Sequence, residues 1–392
     1  VALIRGAEPT VSNEIEIEYA MPIHVPMVDV RTVGAGGGSI ARVNPAGLLE
    51  VGPESAGAVP GPICYGRGGT EPTISDANLL LGRLDPAGLN AVKGGVSLET
   101  VQDIFTRDLG APLGLNAEAA AAAVIKIANM KMAGAIRMVS ISLGADPRDY
   151  SLFAFGGAGP LHAAALAREL SIPRVLVPAR PGITNAIGCV VADLRHDFVN
   201  TVNTPLDALD PVRLNEVFAA QTAEGEALIG KESIEIREIR KLFSVDMQFV
   251  GQTHLLRVPL DRPDVDTETL RQLFEAAYFE RFRVELADIR ANVVNANTSV
   301  IGARAALDLS ALIDPAARRQ TLGEAEMARR PVYFGGGWQD TPIYWRDHLP
   351  ADFTITGPAI VQQMDTTVLI EPGDTATGDA DGNFIITIGA AQ

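Results

Sequence analysis

The chain has 392 residues, of which 47% are hydrophobic, and it carries a formal net charge of −16 and two cysteines. The hydrophobic content excludes a disordered chain, and the acidic charge argues against nucleic acid or an anionic membrane as the main partner. Two cysteines provide no disulfide framework, which fits a reducing, cytoplasmic setting.

The chain opens on residues 1–4, an apolar run typical of the end of a buried strand, followed by a turn. Domains seldom begin on such a strand, so we expect further sequence upstream of it. Residues 14–19 alternate polar and apolar side chains, the period of a half-buried strand, and residues 27–33 are a second strand candidate. Residues 34–69 are rich in glycine and proline and are predicted to form a compact looped segment.

Helices are predicted next. Asp76 is the expected N-cap of a short helix over residues 77–84, because its carboxylate accepts a hydrogen bond from a free backbone N–H. The strongest helix signal spans residues 116–143, with Asn116 as its N-cap and Gly144 as its C-cap. This helix holds the most apolar stretch of the chain, but basic residues interrupt the stretch and argue against a membrane span.

Residues 151–177 have the pattern of a parallel βαβ unit. The continuous apolar run at residues 151–155 is typical of a buried strand. Residues 156–159 make the turn, and a helix starts at Pro160, because proline suits the first turn of a helix. Residues 174–177 are predicted to be the second strand of the unit.

The pattern changes after residue 204. Helices and strands alternate up to about residue 289, and strands and turns dominate beyond it. For 392 residues we expect two to three domains. We therefore predict an α/β core over residues 1–203, an α/β extension over 204–289 and a β-rich C-terminal domain over 290–392.

The sequence Gly156-Gly157-Ala158-Gly159 carries the strongest functional signal. It follows a strand and opens a helix, so its glycines allow a ligand to approach the backbone, and the helix N-terminus favours an anion or a polar ring. We predict nucleotide contact at this turn; the alternative is a tight strand-to-helix turn without a ligand. His162 lies in the first turns of the helix and is expected to be a structural histidine rather than a catalytic one.

A second glycine-rich sequence, Gly36-Gly37-Gly38, also follows a strand candidate. With Ala41 it formally matches a dinucleotide-binding fingerprint. Residues 42–51, however, are typical of a hairpin around an Asn-Pro-Ala-Gly turn, whereas the fingerprint requires a helix there, so we reject it. Close approach of this loop to a ligand and close approach to another protein segment both remain open.

Asp76 belongs to a segment, residues 64–78, that concentrates an arginine, acids and small polar residues. A helix cap is one interpretation of Asp76, and a catalytic role is the other. Cys64 is disfavoured as a nucleophile because no histidine lies near it in sequence. The charged cluster at residues 193–197 is interpreted as salt-bridged rather than metal-binding, because alternation along a strand puts its neighbouring histidine and aspartate on opposite faces.

Several blocks of the sequence together resemble the hydantoinase A family, which includes ATP-dependent hydantoinases, 5-oxoprolinases, caprolactamase and related subunits of acetone and acetophenone carboxylases. The blocks are residues 32–41, 51–57, 60–73, 155–163 and 180–189, with weaker similarity at 356–361 and 371–374. The resemblance implies an α/β fold, namely the ribonuclease-H-like second half of the actin/Hsp70/sugar-kinase fold, followed by a β-rich C-terminal domain. Family members normally carry an N-terminal half with a phosphate loop, and the resemblance implies that half as a partner.

The resemblance also implies ATP and Mg²⁺ as cofactors, with Gly156, Gly157, Ala158 and Gly159 as the adenosine motif. ATP phosphorylates the oxygen of a lactam or ketone through its imidate or enol form, and a hydantoinase B-type subunit completes hydrolysis or carboxylation. Such phosphoryl transfer needs positioning and charge neutralisation more than covalent catalysis.

We therefore take Asp29 and Asp76 as the candidate catalytic acids. Gly36, Gly37 and Gly38 are added to the predicted cofactor-binding residues, and no metal ligands are assigned. Three hypotheses follow. The first is ATP-dependent ring-opening hydrolysis of a cyclic amide of the hydantoin or 5-oxoproline type. The second is a subunit of an ATP-dependent ketone carboxylase, and the third is a non-catalytic scaffold subunit of such a complex. In the first two, the substrate is a small carbonyl compound, and the chain acts with other chains rather than alone.

Overall fold

The structure, a computed structural model, describes all residues except 7, 13–14, 19–20, 24–26, 86–95, 253–254, 286–288, 307, 309–311 and 390–392. Its strands are β1 (Ile4–Arg5), β2 (Glu8–Pro9), β3 (Val11–Ser12), β4 (Ile15–Glu18), β5 (Met21–Ile23), β6 (Met27–Val28), β7 (Ser39–Val43), β8 (Leu49–Ser55), β9 (Ser151–Phe153), β10 (Arg174–Val177), β11 (Leu194–Pro205), β12 (Glu238–Phe249), β13 (Leu256–Leu260), β14 (Ala291–Ala303), β15 (Glu326–Phe334), β16 (Gly337–Trp345), β17 (Thr354–Thr356), β18 (Ala359–Gln362), β19 (Thr367–Ile370), β20 (Thr375–Gly378) and β21 (Phe384–Thr387). Its helices are α1 (Ile74–Leu80), α2 (Leu98–Phe105), α3 (Ala111–Leu113), α4 (Ala117–Ser142), α5 (Gly159–Glu169), α6 (Thr184–Val191), α7 (Pro211–Ile229), α8 (Thr267–Phe282) and α9 (Leu322–Ala325).

The chain forms two compact units. The first comprises Val1–Asn13, Met27–Ala186 and Asp308–Gln392, and the second comprises Glu14–Pro26 and Ile187–Leu307. The predicted segments 1–203, 204–289 and 290–392 divide the chain differently. The physical reason is strand pairing: β14 is an inner strand of the second unit's sheet, whereas β21 pairs with β10 in the first unit.

The first unit contains the predicted βαβ unit. Strands β9 and β10 pair in parallel and α5 connects them, which confirms the prediction. The sheet has the order β17-β20-β21-β10-β9, and Val175 of β10 lies opposite Ile386 of β21. The predicted burial of residues 151–155 is confirmed only in part. Ala154 is buried, but β9 is an edge strand among the described strands of this sheet, and Phe153 and Phe155 are 43% and 41% exposed.

Helix α5 is fixed by packing on two sides. Ala163 and Leu166 are buried in the hydrophobic core formed with the sheet that holds β9 and β10. Leu161 is buried against Val332 and Leu369, which belong to a second sheet of order β15-β16-β18-β19. Since close-packed side chains of this kind move little, the turn that precedes α5 is anchored at its helical end.

Helix α4 confirms the strongest helix prediction. Asn116 caps it by accepting a hydrogen bond from the backbone N–H of Ala119 at 2.8 Å. The predicted C-cap is displaced by one residue: Leu143 is the C-cap, and Gly144 follows with a left-handed φ of +63°. Among the described helices, α4 is long and apolar enough to cross a membrane by length and composition. Its buried face, which includes Val124, packs in a core with residues of α1, β7 and β8.

The second unit contains an antiparallel sheet of order β11-β14-β12-β13, and helices α7 and α8 pack with this sheet in one hydrophobic core. Phe218 of α7 and Phe274 of α8 are buried against sheet residues such as Phe249 and Val293. The Phe249 and Phe274 rings lie 4.7 Å apart between centroids. This apolar layer holds the two helices against the sheet.

Candidate functional site

The turn between β9 and α5 has a backbone that favours glycine at its first position. Gly156 has a φ of +83°, and its N–H donates to the carbonyl oxygen of Pro181 at 2.7 Å. Gly159 is the first residue of α5, and no side chain caps this helix N-terminus. Uncapped N–H groups and the positive end of the helix dipole favour an anionic group or a polar ring in front of the turn.

Space beside the turn is open where a ligand would need it. A Cβ atom placed on Gly156 would have no described atom within 4 Å, and one on Gly159 would meet only the carbonyl carbon of Ala154 at 4.0 Å. A Cβ on Gly157 would lie 3.3 Å from the carbonyl oxygen of Asp365. The glycines are therefore not all explained by close packing within the chain, and the turn leaves room for a ligand beside its backbone.

A hairpin tip from the C-terminal part of the chain holds this turn in place. We call residues 363–366, between β18 and β19, the hairpin tip. The Thr366 hydroxyl lies 3.2 Å from the carbonyl oxygen of Gly156 and 3.1 Å from that of Gly157. Because a hydroxyl has one proton, it donates to one of these oxygens at a time. Gln363 donates through Nε2 to the carbonyl oxygen of Ala179 at 3.2 Å, just before Pro181.

No motif in the sequence pointed to the hairpin tip. Thr366 lies 210 residues from Gly156 along the chain, and its local sequence shows only a loop between two apolar runs. The signal closest to it was the weak family similarity at residues 356–361, which ends just before the tip.

His162 is a structural residue of α5, as expected. Its Nδ1 lies 2.8 Å from Oδ1 of Asn129 on α4, and the residue is 4% exposed. Burial, followed by the positive charge of Arg83, lowers the pKa of His162 to about 4. The imidazole is therefore neutral at physiological pH, and since an amide oxygen only accepts, Nδ1 carries the proton.

The first glycine loop lies against its own chain. Strands β7 and β8 form the predicted hairpin, so rejection of the dinucleotide fingerprint is confirmed. A Cβ on Gly37 would lie 2.7 Å from Oγ of Ser75, and one on Gly38 would lie 2.9 Å from Oγ of Ser55. At these two positions the close approach is to another protein segment, which was one of the two open alternatives. A Cβ on Gly36 would meet no described atom within 4 Å.

Lys131 is a cation near this loop, and no sequence motif marks it. Its Nζ donates to the carbonyl oxygen of Val51 at 2.5 Å and lies 3.5 Å from that of Gly52. A Cβ on Gly52 would in turn lie 2.6 Å from the carbonyl oxygen of Gly34. Lys131 thus supports the strand beside the loop. Between the described residues, no hydrogen bond joins the first glycine loop to the turn at residues 156–159.

Asp76 is part of the frame of its segment. The predicted N-cap is wrong: Thr73 caps α1, and Asp76 is the third residue of a capping box. Its fully buried carboxylate accepts from the N–H of Thr73 at 2.9 Å, of Ile63 at 3.2 Å and of Cys64 at 2.7 Å. A carboxylate enclosed in this way cannot meet a phosphate or a metal ion without breaking these bonds, so the structure gives Asp76 a structural function, and its catalytic role stays a prediction.

The other acid and the thiol add little to a reactive site. Asp29 pairs with Arg31 at 2.9 Å, and its side chain is 16% exposed. Burial and the neighbouring Asp76 raise the pKa of the Cys64 thiol far above its ordinary value, which agrees with the view that Cys64 is not a nucleophile. The catalytic role of Asp29 also stays a prediction.

Metal ligands were not assigned from the sequence. Among the described residues, no group of three or more His, Cys, Asp or Glu side chains is placed to hold a metal ion. In the second unit the charged cluster at residues 193–197 is salt-bridged as predicted. Arg195 pairs with Asp197 and Arg240 pairs with Asp193, both at 3.0 Å.

Comparisons with known proteins place these features in a family. Residues 1–198 match the family described as hydantoinase/oxoprolinase, and residues 211–385 match its C-terminal domain. The alpha subunit of caprolactamase from Pseudomonas jessenii is 33% identical over 99% of this chain and 56% of that protein. The gamma subunit of acetophenone carboxylase from Aromatoleum aromaticum is 31% identical over 93% of this chain and 51% of that protein.

Two solved structures have a similar fold. The crystal structure of ATP-dependent caprolactamase from Pseudomonas jessenii matches with a TM-score of 0.79 and 32% identity, over 94% of this chain and 54% of that chain. The nucleotide-free structure of acetone carboxylase matches with a TM-score of 0.74 and 23% identity, over 97% and 56%. They confirm the predicted fold class, an α/β actin-like second half with a β-rich C-terminal part. The chain spans about half the length of these relatives.

Proposed function

Since the chain belongs to the hydantoinase/oxoprolinase family, we propose that it is part of an ATP-dependent enzyme that activates a carbonyl oxygen by phosphorylation. The reaction we favour is ring-opening hydrolysis of a cyclic amide, a lactam of the hydantoin or 5-oxoproline type. In support, this chain is 32% identical to a protein whose structure is described as an ATP-dependent caprolactamase. Because this chain spans about half of that protein, the remaining half of the fold and a hydantoinase B-type subunit are proposed as partners, in the cytoplasm.

The turn between β9 and α5 is the observation that carries the proposal. Gly156 turns the chain with a left-handed φ, the N-terminus of α5 is uncapped, and the space beside Gly156 and Gly159 is open. Such a turn lets a nucleotide approach the backbone closely and offers N–H donors to it. The hairpin tip and the buried face of α5 keep the turn in one conformation, which lowers the entropy lost on binding.

The proposed reaction has two stages, phosphoryl transfer to the amide oxygen and hydrolysis of the activated amide. The amide oxygen, through its imidate form, attacks the γ-phosphorus of ATP; a new O–P bond forms while the bond from γ-phosphorus to the β,γ-bridging oxygen breaks and ADP leaves. The carbon that bears the phosphorylated oxygen is then a better electrophile for water. Over the whole reaction one water is consumed, one ring C–N bond breaks to give an amine and a carboxylate, and phosphate is released. Mg²⁺, when bound, would neutralise the phosphate charge. The contribution of this chain is to bind and orient the nucleotide through Gly156, Gly157, Ala158 and Gly159.

Calorimetric titration of ADP into the protein, purified with whatever chains accompany it, tests the proposed site. Gly156→Ala strains a φ of +83° at the turn, and Gly336→Ala is a matched control because Gly336 has a φ of +92° in the hairpin between β15 and β16. We expect Gly156→Ala to raise the Kd for ADP about tenfold or more and Gly336→Ala to leave it unchanged. Equal affinity in both variants would refute the site, and no binding to the wild type would favour the scaffold hypothesis.

A ketone carboxylase is the second candidate. The 31% identity to an acetophenone carboxylase subunit supports it, and it uses the same nucleotide turn. The two functions separate by what stimulates ATP hydrolysis. Stimulation by hydantoin or 5-oxoproline supports the cyclic amidase, whereas stimulation by acetone or acetophenone only in the presence of bicarbonate supports the carboxylase.

A further inference from the structure

A small cavity in the first unit is lined mostly by residues that the proposed function does not use. Its volume is about 30 Å³, which is enough for one or two small solvent-sized groups. The charged residues of its lining are Arg180, Arg318, Arg346, Asp347 and Asp379. None of the residues of the nucleotide turn lines it. The lining thus carries a net charge of one positive, and Asp365, which is not part of the lining, also attracts the Arg346 guanidinium.

Arg346 is the charged residue of this lining that has a buried hydrogen-bond donor without a partner. The residue is 6% exposed, and its Nη2 donates to the carbonyl oxygens of Val177 at 3.2 Å and Gly382 at 3.0 Å. Its guanidinium carbon lies 4.1 Å from the centre of the Phe384 ring. Its Nη1 is buried and has no hydrogen-bond partner among the described residues. A buried donor on a charged group that lacks a partner costs free energy comparable to a lost charged hydrogen bond.

The carboxylates of the lining do not accept a hydrogen bond from Nη1 of Arg346. Asp347 pairs with Arg180 at 2.7 Å. Asp379 accepts from the backbone N–H of Asn383 at 2.8 Å and from its Nδ2 at 2.9 Å. Asp347, Asp365 and Asp379 are near enough to attract the charge of Arg346, but none of them accepts a hydrogen bond from its Nη1. The buried guanidinium therefore faces the cavity with one donor unused and a second arginine, Arg180, in the same lining.

We propose that this cavity binds a free, singly charged anion of the carboxylate class, such as formate or bicarbonate, with Nη1 of Arg346 as its buried donor. The planar fork of a guanidinium matches a planar carboxylate. The small volume and the two aspartates of the lining disfavour a phosphate or a sulfate, which are larger and doubly charged. This site does not depend on the proposed function.

The site is tested with sodium formate as the probe. Thermal unfolding of the protein is followed at constant ionic strength while sodium formate replaces sodium chloride, and a second series replaces chloride with sulfate, whose general stabilising effect does not saturate. We expect a saturable rise of Tm of about 1–2 °C with formate, because the shift for a given binding free energy is smaller for a longer chain, and no saturable rise with sulfate. Bicarbonate is compared with formate at a fixed pH of about 8, and a saturable rise of Tm is expected with both anions.

Variants assign the effect to Arg346. Arg346→Gln is expected to abolish the response to formate. Arg83→Gln is the matched control: Arg83 also has a buried, unpaired nitrogen, its Nε, but it does not line the cavity. That variant is expected to keep the response. Equal stabilisation by formate and sulfate, or a response that survives in Arg346→Gln, would overturn the proposal and leave water as the occupant.

A second variant keeps the proposal falsifiable if Arg346→Gln does not fold. Arg318→Gln removes one positive charge from the same lining without removing the hydrogen bonds that Arg346 makes to Val177 and Gly382. We expect it to raise the Kd for formate at least about threefold, since each lining charge contributes to attraction of the anion. An unchanged Kd in this variant would count against the site.

Discussion

The two glycine-rich loops of the first unit look alike in sequence and differ in what surrounds them. At the first loop, Ser75 and Ser55 of the same chain occupy the space beside Gly37 and Gly38. At the second, the space beside Gly156 is open, and a hairpin tip from far along the chain supports the loop from its carbonyl side through Thr366. A missing Cβ therefore serves protein packing in one loop and leaves room for a ligand in the other. Substitutions that act on stability in one loop and on binding in the other will test this difference.

The largest effect is expected beside the first loop. Gly52→Ala adds a Cβ that would lie 2.6 Å from the carbonyl oxygen of Gly34, at a position with a φ of +59°. We expect a loss of about 3 kcal/mol or more in the free energy of unfolding, because a backbone clash is added to left-handed strain. Gly47→Ala in the same hairpin is the control, since its φ is +77° but no described atom lies within 4 Å of the new Cβ. Denaturant unfolding that gives equal losses for the two variants would contradict the packing account.

The next largest effect is a pH dependence of stability that arises from His162 in α5, the helix that follows the second loop. The pKa of His162 in the folded chain is about 4, below the ordinary 6.5. Between these values the unfolded chain binds more protons, so stability is complete above about pH 6.5 and falls as the pH drops towards 4, by about 3 kcal/mol in total. Urea unfolding from pH 7 to pH 4 measures this slope.

His162→Gln is the control for that measurement. Glutamine keeps a donor for Asn129 and does not titrate, so the variant is expected to lose this part of the pH dependence. A slope that is the same in both proteins would assign the pH dependence to other groups.

The third effect addresses the support of the second loop. Thr366→Val removes the hydroxyl that reaches the carbonyl oxygens of Gly156 and Gly157. We expect a loss of stability of about 1 kcal/mol and a rise of about tenfold in the Kd for ADP, because the turn is no longer held in one conformation. Thr366→Ser keeps the hydroxyl and is expected to keep the affinity. If both variants bind ADP as the wild type does, the hairpin tip has no part in the nucleotide site.

The smallest effect distinguishes the two readings of the first loop. Gly37→Ala places a Cβ 2.7 Å from Oγ of Ser75, and we expect a cost of about 1 kcal/mol, limited because a serine hydroxyl is able to turn away. Ser75→Ala in the same chain should recover most of this cost, with ADP affinity unchanged throughout. A fall in ADP affinity without a change in stability would instead revive the ligand alternative for Gly36, Gly37 and Gly38.

Local signals predicted the elements well. The cap at Asn116 and the βαβ order of β9, α5 and β10 were read correctly, because capping and periodicity act over a few residues. The prediction that Asp76 is the N-cap of α1 was wrong by three residues, because the local sequence offers more than one candidate cap. Thr73 and Asp76 both suit a helix start, and only the folded segment shows that Asp76 also binds the N–H groups of Ile63 and Cys64.

Burial was the weaker prediction. The run at residues 151–155 is apolar enough for a central strand, yet β9 lies at the edge of the described sheet and exposes Phe153 and Phe155. Apolar composition indicates which residues favour burial, whereas the strand order decides which strands are covered by a neighbouring strand on both sides. The candidate site showed the same limit: the glycine turn was predicted, and the hairpin tip that holds it was not.

The sequence by itself determined the family, the α/β class, the glycine turn before α5 and the structural character of His162, since these depend on short motifs and local chemistry. Only the tertiary structure decided that the first glycine loop is filled by serines, that Thr366 supports the second, and that Arg346 is buried with an unused donor. Those facts depend on pairs of residues far apart in the chain, up to 210 positions for Gly156 and Thr366. Such pairs meet only because strand order and core packing bring them together.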